Sequence, residues 1–162
     1  GRDVSIDDLF IHASISKTVV AVSTMMLVER GLLDLDDDVS DYLDYTVRAP
    51  KYPDVPITTR MLMSHVSSIS DDYYNKIYPL YAKEGDPDVT MGDFCEMLFS
   101  DKSKFQYSGK EPATTYDYSN MGATLVGCVC EKVARAADLI SENEVFDDLA
   151  RSLVFQPLGV GL

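Results

Sequence analysis

Apolar positions gather in two long runs, and residues that favour turns gather between them. The first run lies in "SISKTVVAVSTMMLVER", residues 14–30, where the tract from Val19 to Val28 is interrupted only by Ser23 and Thr24. A segment this apolar on all sides predicts a deeply buried helix, and Gly31 supplies the residue that most readily stops one. The second run, Ser119 to Ala137, predicts another long apolar helix. Between them, "DLDDDVSDYL" predicts a turn and a short helix, with its acids at the end that the helix dipole favours. A loop rich in proline, "RAPKYPDVPITT", follows, and Thr58 is a candidate N-cap for "TRMLMSH". A Tyr-rich segment, residues 71–83, ends near Gly85. Thr90 with Asp93 spells a capping box for a helix over 91–98, and Ser141 with Glu144 spells another for a helix reaching about Leu153. Strand signals are scarce, with β-like pieces only around 4–11 and 104–107. No repeat or linker divides the chain, so residues 1–162 read as a single, mainly α domain.

Charge narrows the function. Asp and Glu number 27 against 14 Lys and Arg, a formal charge of −13. Such a surface repels phosphate backbones and anionic lipid heads, so nucleic acid is excluded as a partner and the excess acid reads as a solvated face. No apolar run is long enough for a membrane span, and neither a signal peptide nor a lipidation motif is visible. The chain starts with Gly1 rather than Met, so the precursor N-terminus is expected to be absent and the compartment is left open. The odd set Cys95, Cys128 and Cys130 argues against a disulfide framework. On a helix, Cys128 and Cys130 point to nearly opposite faces, and the three thiols read as small core residues. With only His12 and His65 besides, no metal-ligand spacing appears.

Ser14 and Lys17 form an S-x-x-K, a pattern that ordinary composition produces on the order of once in a chain this long. Two readings stand. Ser14 caps the helix and Lys17 is solvated in its first turn, or the pair is chemical. A serine hydroxyl needs a base beside it to attack a carbonyl, and a lysine one turn on lies on the same helix face. The helix N-terminus adds N–H groups that favour a developing oxyanion. A second constellation bears on the choice: "TTYDYSNMGATLVG" puts Tyr118 and Asn120 two apart, just ahead of the second apolar helix. In an extended segment both side chains can face one site. A phenol can relay protons, and an amide can bond both a carbonyl and an amine. Tyr73 with Asn75 and Ser141 with Asn143 repeat parts of these patterns, and both pairs read as structural.

The stretch "LFIHASISKTVVAVSTMMLVERGLLDLDDDVSDYL" resembles the nucleophile region of the serine β-lactamase and penicillin-binding-protein superfamily. It is most similar to the branch of class C β-lactamases, D-alanyl-D-alanine carboxypeptidases and esterases. "TTRMLMSHVSSIS", "YDYSNMGATLVGCVCEKV" and "VFQPLGV" resemble three further landmarks of that branch, in its order. The resemblance implies that Ser14 is the acylated nucleophile and that Lys17 accepts or steers its proton. Tyr118 would be the partner base and acid, and Asn120 would hold the substrate amide and the lysine head. It implies a small-molecule or peptide substrate and no metal or organic cofactor. The superfamily's third motif, a Lys or His two residues before a Gly, lies on a strand after the "P-L-G-M" landmark, and none follows "PLGVGL" here. The expected fold is therefore the helical portion of an α/β sandwich, a fragment lacking most of the sheet. An apolar face left open by that lack would be covered by a homo-oligomer or a completing partner chain. "SHVSSIS" carries Val66 and Ser68 where the superfamily has threonine and glycine, and His65 reads as structural. The alternative to a serine hydrolase is a non-catalytic helical domain that keeps the motif residues and serves in binding or assembly.

Overall fold

The computed structural model describes residues 2–72, 89–100 and 106–160. Among these residues the regular structure is helical, with two isolated antiparallel bridges, Asp38 to Thr58 and Ile69 to Tyr107, and no strand. The described residues include five α-helices: α1 Ser16–Glu29, α2 Thr59–Met63, α3 Met91–Phe99, α4 Asn120–Ala136 and α5 Phe146–Ala150. A 3-10 turn, Ala13–Ile15, leads into α1, a second spans Val39–Asp41, and a π turn, Arg151–Phe155, extends α5.

Helix α4 is the centre. Met121, Leu125, Val126, Cys128, Val129, Cys130, Val133 and Ala134 are all buried in it, so it touches a partner on nearly every side. Against it pack α1, α2, α3 and α5. The core around α4 is completed by Leu27, Leu62, Phe99, Leu149 and residues of the connecting loops such as Val39 and Ile57. Cys128 and Cys130 do leave α4 in different directions. Cys130 Sγ lies 3.2 Å from Thr24 Oγ1 on α1, and all three cysteines are free and buried.

The caps explain where the helices start. Thr58 accepts from Met61 N, Thr90 from Asp93 N, and Ser119 from Gly122 N, each satisfying a donor the helix leaves unpaired. The Ser141–Glu144 box closes differently from expectation. Glu144 accepts from Ser141 N, but this closes a turn, and the helix begins only at Phe146, after Asp148 has accepted from Val145 N. The ends share one device. After α1, α2 and α4 the chain turns back through Gly31, His65 and Asp138, with φ of +70°, +59° and +55°. Each gives the paired return bonds of a Schellman motif, such as Leu32 N to Leu27 O and Gly31 N to Val28 O.

Two expectations are corrected. Helix α1 is not buried all round: its inward face is Ser23, Thr24 and Leu27, while Val22 and Met25 are 40% and 45% exposed. The small polar side chains let α1 approach α4 closely, and the Thr24 hydroxyl is satisfied by donating to Val20 O at 2.8 Å. The apolar face opposite has no partner among the described residues. Residues 4–11 form no strand, because Ser5 O accepts from Asp8 N in a turn and no segment among the described residues pairs with them. The Tyr107 half of the second β-like piece does pair, through its bridge to Ile69. Residues 104 and 105, and the Tyr-rich segment beyond Asp72, lie outside the described residues.

Candidate active site

Three separate stretches of chain meet at one point on the surface. The first is the entry to α1. Ala13 takes φ +46°, a left-handed conformation that costs a non-glycine residue about 1 kcal/mol, and the backbone reversal there starts the 3-10 turn holding Ser14. Lys17 follows one turn later and its ammonium returns toward that hydroxyl, Nζ to Ser14 Oγ 3.2 Å.

The second stretch is 117–121. Ser119 is extended, φ −133° and ψ 120°, so Tyr118 and Asn120 reach the site from the two sides of the α4 N-cap. Tyr118 Oη lies 2.7 Å from Ser14 Oγ, across 104 residues of sequence. Asn120 Oδ1 accepts from Lys17 Nζ at 2.6 Å. The same ammonium sits 4.9 Å from the centre of the Tyr118 ring. The four side chains singled out in the sequence thus form one connected hydrogen-bonded group. Ser141 and Asn143 lie in the turn ahead of α5, outside that group, while Tyr73 and Asn75 lie outside the described residues.

The third stretch, 65–71, holds the second in place. Val66 O accepts from Ala113 N, His65 O from Asp117 N, and Ser68 O from Ser108 N. His65 was read from the sequence as structural, and its ring proves to pack against the site, 4.5 Å from the Tyr118 ring centre. Its Nδ1 accepts from Ser119 N at 3.2 Å, which requires a lone pair on that nitrogen. Burial and the Lys17 charge both hold the His65 pKa below its usual value, against the pull of Asp71, so the neutral ring is favoured. Asp71 is the residue that sequence reasoning missed. The only local signal was an acid following the "SHVSSIS" loop, and its partners lie about fifty positions away.

The electrostatics favour proton transfer at this point. The hydrogen bond from Lys17, and then that from Ser14, lower the Tyr118 pKa, outweighing slight desolvation and the Asp71 charge. A phenol that ionises more readily is present to a greater extent near neutral pH as the phenolate, the form that can take the proton of the hydroxyl beside it. On its buried side the Lys17 stem borders a cavity of about 70 Å³, lined by the apolar Val20, Ala21, Leu62, Met63, Ala123 and Val126 together with His65. The described arrangement therefore offers a hydroxyl, an amine and a phenol within proton-transfer distance, with an amide beside them.

Comparison with known proteins places the chain in a family. The Beta-lactamase family model matches residues 1–161, and the chain belongs to that family. It is 28% identical over 160 residues to Penicillin-binding protein 4 of Amycolatopsis lactamdurans, covering 99% of this chain and 37% of that protein. Among solved structures it resembles the octameric penicillin-binding protein homologue from Pyrococcus abyssi, with 25% identity and a TM-score of 0.65. That match covers 90% of this chain and 30% of the other. EstCE1, described as a hydrolase with promiscuous acyltransferase activity, shares the fold at a TM-score of 0.68 and 24% identity, with 90% and 36% covered. The chain thus spans 30–37% of the length of these proteins. The sequence also spells K-x-G once, at Lys83-Glu84-Gly85, which precedes "PLGVGL" and lies outside the described residues.

Proposed function

We propose that this chain carries the nucleophile half of a serine hydrolase that works through an acyl-enzyme on an amide, a β-lactam or an ester. The observation that carries the reading is the Ser14 hydroxyl 2.7 Å from Tyr118 Oη and 3.2 Å from Lys17 Nζ. In the proposed reaction Ser14 Oγ attacks the substrate carbonyl carbon while its proton passes to the Tyr118–Lys17 pair. The proton is then delivered to the leaving nitrogen or oxygen as the carbonyl bond to it breaks. Water, deprotonated by the same pair, releases the acid and restores Ser14. Asn120 steadies the Lys17 head and is offered to the substrate amide. Support for a hydrolase of this kind, rather than a bare helix cap, comes from the convergence of residues 104 positions apart.

We also propose that the open face of α1 is the face that a β-sheet covers in the whole α/β fold. That sheet would come from further chain, from a second copy or from a partner. The exposed Val22 and Met25 support this reading.

The test is covalent. A fluorophosphonate probe is expected to add once, at Ser14, by intact-mass spectrometry and peptide mapping. Ser14→Ala abolishes the adduct, and Lys17→Ala slows it by roughly 10²-fold or more, the usual scale for general acid–base help. Adducts spread over several hydroxyls, or persisting in Ser14→Ala, would leave the four residues as a polar cap and favour the non-catalytic reading.

A further inference from the structure

The Asp71 carboxylate accepts four hydrogen bonds from the start of α4. Its Oδ1 receives Ser119 Oγ at 2.9 Å and Met121 N at 3.1 Å, and its Oδ2 receives Asn120 N at 2.7 Å and Asn120 Nδ2 at 2.8 Å. Ser119, having given its proton to Asp71, accepts from Gly122 N at 2.9 Å. The backbone donors of Asn120, Met121 and Gly122, the first three residues of a 17-residue helix, are therefore satisfied by one acid and one hydroxyl. A helix cap needs only the backbone bonds. The bond to the Asn120 side chain goes beyond capping.

We propose that Asp71 is a positioning residue that fixes which end of the Asn120 amide faces Lys17. An ionised carboxylate can only accept, so the amide must present its NH₂ to Asp71. The carbonyl oxygen is then forced to the opposite side, where it meets Lys17 Nζ at 2.6 Å. Turned over, the amide would aim its NH₂ at the ammonium and its oxygen at the carboxylate, making two repulsive contacts in place of two bonds. With Oδ1 fixed as an acceptor, one N–H of Lys17 is committed to Asn120, and the rest of the head is left directed at Ser14 and Tyr118. Asp71 thus acts on the reacting hydroxyl through two intermediaries, Asn120 and Lys17, and does not itself bond the hydroxyl. The effect on reactivity rests on the acyl-enzyme reading above, whereas the amide orientation does not.

The experiment separates the two. In wild-type protein, nuclear Overhauser contacts from the Asn120 NH₂ protons should reach the Asp71 β protons and not the Lys17 ε protons. The reverse pattern overturns the proposal whether or not Ser14 reacts. For reactivity, fluorophosphonate labelling is compared in Asp71→Asn, Asn120→Ala and the double variant, with folding checked by circular dichroism. Asp71→Asn can donate and so permits the flipped amide, and it should slow labelling roughly 10- to 100-fold, the scale of a misplaced catalytic group. In the Asn120→Ala background the same change should have less than about a twofold effect, because the shared partner is gone. Equal slowing in both backgrounds means that Asp71 only supports the helix, and the proposal fails. A wild-type protein that does not label at Ser14 removes the acyl-enzyme reading and leaves the Overhauser measurement to decide the orientation.

Discussion

Tyr118 and His65 give the candidate site opposite responses to pH. The Lys17 and Ser14 hydrogen bonds lower the Tyr118 pKa, so its phenolate appears at lower pH than that of an ordinary tyrosine near 10. Ultraviolet difference titration is expected to show one phenol ionising early, absent in Tyr118→Phe and shifted up in Lys17→Ala. Labelling of Ser14 should rise with the same midpoint. His65 works from the acid side. Its folded pKa is depressed, so the unfolded chain takes up a proton first, and stability falls as pH drops below about 6.5 toward the folded value. Protonating Nδ1 also destroys the acceptor that holds Ser119 N. His65→Asn keeps an acceptor and tolerates the left-handed backbone, so it should flatten this acid limb while leaving the alkaline one in place. An acid limb unchanged in that variant would assign the effect elsewhere.

At the scale of elements, the turns divide into those a sequence announces and those it hides. Gly31 announced the end of α1, and Thr58 and Thr90 announced the starts of α2 and α3, because glycine and the hydroxyl caps act on their own neighbours. The Ser14–Lys17 spacing and the Tyr118–Asn120 spacing were legible for the same local reason. His65 and Asp138 end helices in the same way as Gly31, but neither residue type signals a left-handed turn strongly enough to be read. Asp71 was invisible because its three partner residues come from another part of the chain. The open side of α1 was misread because periodicity reports apolar faces and not what covers them. Ser68 is the instructive case: it keeps φ +69° at the position where the resemblance calls for glycine. Ser68→Gly should therefore raise stability by about 0.5–1 kcal/mol, the left-handed strain relieved less the added freedom of the unfolded chain. Gly31→Ala should do the reverse by about 1 kcal/mol, through conformation alone, because a Cβ there meets nothing within 4 Å. Thermal melts of the two variants should move in opposite directions, and parallel shifts would refute the backbone account.

For the whole molecule, a strongly acidic protein still exposes Ile6, Leu9 and Ile11 almost completely, in addition to Val22 and Met25 on α1. Exposed apolar groups in this number favour association. Light scattering is expected to find assemblies larger than one chain, or dye binding that Met25→Lys weakens. A monodisperse monomer that binds no dye would count against a covered face. Assembly of the site has its own timing. The Ser14–Tyr118 hydrogen bond closes a loop of 104 residues, and Asp71 must reach 49 residues forward to the start of α4. Loop closure of that length costs entropy before any contact repays it, whereas the α1 turn and the cap of α3 need only neighbours. On refolding from denaturant, helical circular dichroism should therefore recover before Ser14 can be labelled. The reactive hydroxyl then serves as a clock for the last stage of folding, reporting when distant parts of the chain have found one another.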